Sequence, residues 1–198
     1  MKNTQPNTQN KPMTREEWLN AGLNALRPWF EEKAKVSVPL DTRVSVGFPG
    51  GGSARKRIGE CWARRMSKDN VNEIFINPTL SDPVQMLDVL AHEAIHAIDD
   101  CVSGHKGEFK RIAKDIGLEG KMTSTHAGAV LKAELERIIK TLPTLTHGAL
   151  DLSKRKKQPT RLVKLECDCC GMILRTTTKW IEETGLPSCA CSGHFYCA

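Results

Sequence analysis

The distribution of cysteines divides this chain into two parts that must fold by different means. Of the eight cysteines among 198 residues, six follow Glu166, in a stretch with few large apolar side chains. So small a stretch cannot bury enough apolar surface to offset its chain entropy, whereas a bound metal ion can hold it together. In chains without an export signal, such clusters bind metal more often than they form disulfides. The sequence therefore predicts a conventional domain followed by a small metal-stabilised module.

Within this module the cysteines form two pairs that have the spacing of zinc ligands. One pair has two intervening residues and the other has one, and a β-like run and a short helical turn separate them. Each tight turn presents two thiolates, and two such pairs complete a tetrahedron around one structural Zn²⁺. The predicted ligands are Cys167, Cys170, Cys189 and Cys191. Cys169 could replace Cys167, and Cys197 or His194 could replace another of the four.

The longer part contains the pentapeptide His92-Glu-Ala-Ile-His96 inside a segment of helical periodicity. Residues i and i+4 share one face of a helix, so both imidazoles can bind the same ion. Glu93 can reach a water on that ion and act as general base and then as general acid. Zinc in such a site lowers the pKa of water to about 7 and polarises a carbonyl group. The pattern therefore predicts a catalytic zinc site for hydrolysis.

A catalytic zinc needs a third protein ligand, here from outside the helix, and one open position. His105 is the predicted third ligand, because Gly104 lets the chain return toward the site after the helix. Glu108 and His126 are the reserve candidates. His147 follows the last predicted helix, and we interpret it either as a surface residue or as a hydrogen-bond donor near the cleft.

Periodicity predicts an α+β fold for this longer part. Thr14 begins a capping box, and a helix is expected over 15–33, disturbed by Pro28. Three short strand-like segments, which predict a small antiparallel meander, span 44–48, 58–63 and 71–76. The helices expected after them span 81–100, 105–116 and 127–142. Cys61 and Cys101 are interpreted as ordinary buried thiols.

Composition restricts the setting of the chain. The polar N-terminus has no apolar segment of a secretory signal, and no run approaches the roughly 18 apolar residues of a membrane helix. We therefore expect a cytoplasmic protein, or one associated with the nucleoid or nucleus, that is not secreted and has no membrane partner. The predicted parts are a disordered tail over 1–13, the α+β domain over 14–147, a basic linker over 148–161 and the zinc module over 162–198.

Basic residues indicate DNA as a partner. The net charge is +6 and the sequence pI is about 8.9, which is compatible with binding to a polyanion. The predicted contacts are Arg55, Lys56, Arg57, Arg64, Arg65, Arg161, Lys164, Arg175 and Lys179. Trp62 and Trp180 are available for stacking on bases.

The pentapeptide, together with the later segment Gly104-His105-Lys-Gly-Glu108-Phe109, resembles the SprT-like metallopeptidases, which include the Spartan DNA–protein crosslink proteases. Lys106 stands where a small residue often follows the third ligand in that family. The order of elements over 15–147 and the C-terminal cysteine pairs are also similar. The resemblance implies a zincin-like metallopeptidase domain with a zinc ribbon after it, and zinc-dependent cleavage of protein substrates.

Two hypotheses of different classes follow from these features. The first is a zinc endopeptidase with catalytic zinc on His92, His96 and His105, structural zinc in the ribbon, and proteins bound to DNA as substrates. The second is a non-catalytic nucleic-acid-binding protein in which the first metal is structural. A structural site has a fourth protein ligand and needs no Glu93, so the ligand set distinguishes the two.

Overall fold

The computed structural model describes residues 13–50, 57–154 and 162–198. These residues form two compact units, with the boundary between Asp151 and Leu152. The described part contains five α-helices and three small sheets, which confirms the predicted α+β class. None of these helices has the length and the apolar composition needed to cross a membrane. Most of the predicted tail, residues 155–161 of the predicted linker, and the predicted DNA contacts Arg55, Lys56 and Arg161 lie outside the described residues.

Helix α1 spans Arg15–Ala34 and begins at the predicted capping box. The Thr14 hydroxyl accepts a hydrogen bond from the Glu17 amide at 3.2 Å, and the Glu17 carboxylate accepts one from the Thr14 amide at 2.7 Å. The disturbance expected at Pro28 does not end the helix, which continues through it. Fully buried side chains on either side of the proline stabilise this stretch by packing, despite the backbone hydrogen bond that proline cannot donate.

The first sheet contains β1 (Arg43–Val46), β2 (Gly59–Trp62) and β3 (Glu73–Ile76). The predicted antiparallel meander is wrong, because the strand order is β1-β3-β2 and β1 runs parallel to β3. Side chains alternate in the same way in parallel and antiparallel strands, so the sequence pattern carries no information on direction. The most buried strand, with Ile74 and Ile76 at 0% exposure, takes the centre. Strand β2 is consequently an edge strand.

Three further helices complete the core of the first unit: α2 (Pro83–Ile98), α3 (Gly107–Ile116) and α4 (Ala129–Thr141). The Asp82 side chain caps α2 by accepting hydrogen bonds from two amides of its first turn, both at 3.3 Å. One face of α2 packs into the core against α1, α4 and the sheet. The α2 side chains without exposed surface are Met86, Leu87, Leu90, Ala91, Ala94 and Ile95.

A two-stranded hairpin between α3 and α4 was not predicted from the sequence. Its strands are β4 (Leu118–Lys121) and β5 (Ser124–Ala127), and they pair antiparallel. Of its eight strand residues only Leu118 is buried, so the segment lacks the apolar alternation by which strands are recognised. The predicted start of the last helix at residue 127 is therefore two residues early, since α4 begins at Ala129.

The second unit is a three-stranded antiparallel sheet with one short helix. It contains β6 (Leu162–Cys167), β7 (Ile173–Thr177), α5 (Thr178–Thr184) and β8 (Phe195–Cys197), with β6 in the centre. Strand β7 and helix α5 confirm the β-like run and the short helical turn predicted between the two cysteine pairs. The buried apolar residues of this unit are Leu165, Cys167, Cys189 and Phe195.

Candidate metal centres

The structure brings together the three histidines predicted as ligands of the first metal. His92 and His96 project from one face of α2, as their i, i+4 spacing requires. His105 lies in the loop before α3 and faces them. Gly104 adopts a left-handed conformation, with φ of 54°, and so lets the loop turn back toward α2. The Asp99 carboxylate accepts a hydrogen bond from the Ser103 amide at 2.9 Å and stabilises the same turn.

The spacing of the imidazole nitrogens fits a tetrahedral metal ion. The Nε2 atom of His105 lies 3.3 Å from the Nε2 atoms of both His92 and His96. A tetrahedral zinc with Zn–N bonds of about 2.0–2.1 Å places its ligand nitrogens about 3.3 Å apart. Among the described residues, this group contains three histidines and no fourth His, Cys, Asp or Glu. These residues could therefore hold a metal ion and leave one coordination position open.

The electrostatics of the site keep these imidazoles neutral, which is the form that binds metal. Burial and the two neighbouring imidazoles lower the pKa of His92 to about 3. Burial and His105 lower the pKa of His96 to about 4. Burial also lowers the pKa of His105. The ring nitrogens therefore keep their lone pairs at neutral pH.

Two residues outside the histidine group orient it. The ring of Phe109, on α3 and fully buried, lies 4.5 to 5.0 Å from the three imidazole centroids and forms the floor beneath them. The Nδ1 atom of His92 shares a 2.7 Å hydrogen bond with the Thr125 hydroxyl on β5. With its proton on Nδ1, His92 directs the Nε2 lone pair at the metal position. Sequence reasoning missed Thr125, because the hairpin that carries it was not predicted.

Glu93 lies at the base of the site between α2 and the edge strand β2, with 6% of its surface exposed. Burial raises the pKa of its carboxyl group to about 8, and the backbone N–H of Cys61 and the Arg57 guanidinium oppose the shift. Gly59 allows this close approach, since a Cβ at that position would lie 2.6 Å from a Glu93 carboxylate oxygen. A carboxyl group with a pKa near neutrality can both accept and release a proton at physiological pH.

A cavity of about 600 Å³ opens above the histidines and Glu93. One wall is β2 with the residues that precede it, and the opposite wall is the turn and second strand of the β4–β5 hairpin. Its volume suits a short peptide segment or a small molecule. The walls combine thiols, hydroxyls, carboxylates and one guanidinium with apolar side chains, so the cavity is of mixed polarity.

The reserve candidates for the third ligand, and His147, lie outside the histidine group. Glu108 forms an ion pair with Arg111 on the outer surface of α3. His126 lies on β5 opposite Glu119. His147 is not among the cavity residues, and its Nδ1 atom accepts a hydrogen bond from the Arg15 amide at 3.1 Å, at the start of α1. His147 is exposed, which confirms its interpretation as a surface residue, and its contact with α1 was not predicted.

The second candidate centre contains the four predicted cysteines. The Sγ atoms of Cys167 and Cys191 are 3.5 Å apart, those of Cys170 and Cys189 are 3.6 Å apart, and those of Cys189 and Cys191 are 3.4 Å apart. Tetrahedral zinc with Zn–S bonds of about 2.3 Å places its sulfurs about 3.8 Å apart, close to this arrangement. These four residues could hold a second metal ion.

The turns of the second unit hold the four thiols together. The Gly193 backbone N–H and the neighbouring thiols lower the pKa of Cys191 to about 6, whereas the pKa of Cys189 is raised to about 12 among the same thiols. The Asp168 carboxylate accepts a hydrogen bond from the His194 amide at 2.8 Å and joins the two cysteine-bearing turns. Neither His194 nor the remaining cysteines, Cys169 and Cys197, belong to the four-cysteine group.

Most of the described predicted DNA contacts form ion pairs. Arg57 pairs with Glu60, Arg64 with Asp41, Lys164 with Glu166 and Lys179 with Glu183, while Arg65 and Arg175 have no ion pair among the described residues. Residues 162–198 contain three Lys or Arg and four Asp or Glu, so this segment has no basic excess. The basic cluster lies instead in residues 154–161, of which only Lys154 is described.

Comparison with known proteins gave no match: no family model matches the chain, and neither does any curated protein or solved structure.

Proposed function

We propose that this chain is a zinc-dependent endopeptidase of the SprT-like type, with a zincin-like catalytic unit and a C-terminal zinc ribbon. The observation that carries the proposal is the group of three imidazoles, at the spacing of tetrahedral zinc ligands, beside the buried carboxyl group of Glu93 in an open cavity. A purely structural site would have a fourth protein ligand, and the described residues offer none within this group.

In this proposal His92, His96 and His105 hold the catalytic zinc, and Cys167, Cys170, Cys189 and Cys191 hold the structural one. Zinc on three imidazoles supplies Lewis-acid chemistry, which acidifies water and polarises the scissile carbonyl group. Glu93 accepts the proton from the attacking water and delivers it to the leaving amine nitrogen. Gly59 on β2 lies against the Glu93 side chain and so restricts the positions of its carboxyl group.

The edge strand β2 supports a peptide as the substrate. The backbone N–H of Asn77 donates to the Ile58 carbonyl at 3.0 Å, so Ile58 directs its backbone groups toward β3. In an antiparallel pair this direction alternates along the strand, so the backbone groups of Gly59 and Cys61 point away from β3. That open edge borders the cavity. An extended peptide can pair with such an edge and present its carbonyl group to the metal.

Proteins associated with DNA are the proposed substrate class, supported by the net charge of +6. Surface ion pairs are weak, about 0–1 kcal/mol each, so phosphates can displace the carboxylates that now pair with the arginines and lysines. We assign the largest share of DNA affinity to the basic residues over 154–161, because the ribbon sequence itself has no basic excess.

The decisive experiment compares the zinc-loaded chain with its Glu93→Gln variant on an unfolded protein and on a DNA-bound protein. Cleavage is followed by gel and mass spectrometry, with and without single- or double-stranded DNA. Loss of the general base should reduce the cleavage rate by about 10²- to 10⁴-fold. The zinc content should not change, because Glu93 is not a ligand. Glu108→Gln is the matched control, since it removes an exposed glutamate from the next helix.

Cleavage that persists at the same rate in Glu93→Gln would contradict the assigned role. No cleavage of either substrate by the zinc-loaded chain, with or without DNA, would favour the non-catalytic hypothesis. A rate that DNA does not change would leave the peptidase proposal in place and remove the DNA-associated substrate from it.

A further inference from the structure

Two cysteines outside both metal centres face each other in the wall of the cavity. Cys61 lies on β2 and Cys101 in the turn that follows α2, and both are half-buried. The Cys101 thiol donates a hydrogen bond to the Cys61 carbonyl oxygen at 3.6 Å, so the two residues are in contact. The sequence indicated ordinary buried thiols, 40 residues apart. The tertiary structure instead makes them a pair beside Glu93.

The backbone holds Cys101 in this position at an energetic cost. Asp100 and Cys101 are consecutive non-glycine residues in the left-handed region, with φ of 52° and 61°. Such conformations are unfavourable for residues that carry a Cβ and persist only where the surroundings impose them. The Asp100 carboxylate accepts hydrogen bonds from the Arg64 amide at 2.7 Å and from the Asn72 side chain at 3.0 Å. The Cys101 amide also donates to the His96 carbonyl at 2.8 Å.

From this geometry we propose that Cys61 and Cys101 form a reversible disulfide, and that a hydroperoxide is the oxidant. The Cys101 thiolate attacks the peroxide, whose O–O bond breaks; Cys101 becomes a sulfenic acid and water or an alcohol leaves. The Cys61 thiol then attacks the sulfenic sulfur, an S–S bond forms and water leaves. The two thiols lose two electrons and two protons in total, and the peroxide gains them.

The position of Cys101 suits the first step. Its thiol lies in the wall of the cavity, against the Cys61 backbone. Half-burial in a cavity wall also leaves Cys101 accessible to a small oxidant.

The disulfide would act on Glu93, and this consequence rests on the proposed peptidase function. Both cysteines line the cavity together with Glu93, and both act on the pKa of its carboxyl group. An S–S bond is about 2.05 Å long and would join β2 to the turn after α2 at a fixed separation. The strand that borders Glu93 and the cavity is then cross-linked to that turn, and we expect cleavage to be inhibited until the disulfide is reduced.

The test uses the zinc-loaded full chain treated with hydrogen peroxide, alkylated and digested without reduction. Mass spectrometry should identify one cross-linked peptide pair that contains Cys61 and Cys101 and has lost two hydrogen atoms. Dithiothreitol should regenerate both thiols. In Cys61→Ser the intermediate cannot be resolved, so dimedone should label Cys101 at least tenfold more than in the natural chain. Cys197→Ser, which removes an exposed thiol of the other unit, is the matched control and should cross-link normally.

The chemical result does not depend on peptidase activity, so the two proposals can fail separately. Absence of the Cys61–Cys101 cross-link, or conversion of Cys101 to sulfinic acid in its place, would overturn the disulfide proposal even if the chain cleaves protein. A cross-link that leaves cleavage unchanged would overturn the inhibition. With the cross-link present, the ratio of cleavage rates before and after peroxide should be tenfold or more in the natural chain and close to one in Cys101→Ser.

Discussion

The two units of this chain hold their candidate metal ligands by opposite means. In the first unit, α1 to α4 and the central strand bury a continuous apolar cluster, and the three histidines project from its edge. In the second, Cys167 and Cys189 are two of the four buried apolar residues, so the ligands are themselves half of the core. We therefore expect the first unit to fold before it binds metal and the second to depend on metal for its fold.

This difference also separates two roles of a metal ion. In the first unit the core itself places the three neutral imidazoles, so the free energy of metal binding is not needed for folding. A metal ion held there would keep one coordination position open for chemistry. A module that needs the metal to fold has all four positions filled by protein. The two units should therefore respond differently to loss of metal, to truncation of the core and to loss of a hydrogen bond at the ligands.

Removal of zinc should have the largest effect, and only on the second unit. Structural zinc contributes about 10–16 kcal/mol of binding free energy in small modules, more than the stability of such a fold. With a strong chelator, amides of β6 to β8 should therefore lose all hydrogen-exchange protection, while amides of α2 keep theirs. Equal protection of β6 before and after verified metal removal would show that the second unit does not need its metal.

Leu90→Ala should produce the converse result. Leu90 is fully buried on the core face of α2, and its truncation creates a cavity that costs about 2–5 kcal/mol. Chemical denaturation followed by hydrogen exchange should show the loss in the first unit and none in β6 to β8. Val130→Ala on α4 is the control, because Val130 is 67% exposed and its truncation should cost little. Equal losses in both units would contradict their independence.

Thr125→Val should weaken only the first metal site. The substitution keeps the shape of the side chain and removes the hydroxyl that orients His92. Loss of such an orienting partner reduces metal affinity by about 10- to 100-fold. Competition with a chromogenic chelator should show one weakened site and one unchanged site, and Thr125→Ser should restore the affinity. If valine and serine gave equal affinities, the hydrogen bond would not orient His92.

The smallest expected effect is a pH-dependent gain in stability in Asp88→Asn. Burial raises the pKa of Asp88 from 3.8 to about 6, and one of its carboxylate oxygens is buried without a hydrogen-bond partner among the described residues. The folded state therefore binds a proton that the unfolded state has lost, and the folded carboxylate becomes destabilising as the pH rises from about 4 to 6.

Asparagine cannot ionise. At pH 4 the free energies of unfolding of the variant and the natural chain should therefore differ only by a constant offset. Above pH 6 the variant should gain about 1–2 kcal/mol relative to that offset, less than the full shift because the side chain is partly exposed. Urea unfolding of the metal-free first unit between pH 4 and 8 measures this difference. A difference that is constant over that range would contradict the raised pKa.

Helices and local ligand spacing were predictable because they depend on residues close in sequence. The capping box at Thr14, the i, i+4 histidines and the short helix between the cysteine pairs all appear where the pattern indicated. Strand direction was not predictable, since side-chain alternation is identical in parallel and antiparallel pairs. The β4–β5 hairpin was not predictable either, because its strands lack apolar alternation. They are stabilised instead by their contacts with α2, α3 and α4.

The side chains that can bind metal could therefore be identified from the sequence, since ligand type and spacing along one helix or one turn are local properties. The tertiary structure decided how these side chains are supported. It brought Thr125 to His92 from 33 residues away, placed edge strand β2 against Glu93, and paired Cys61 with Cys101. Contacts between distant segments depend on how the whole core packs, and a strained turn such as that at Asp100 and Cys101 persists only because the surrounding fold imposes it.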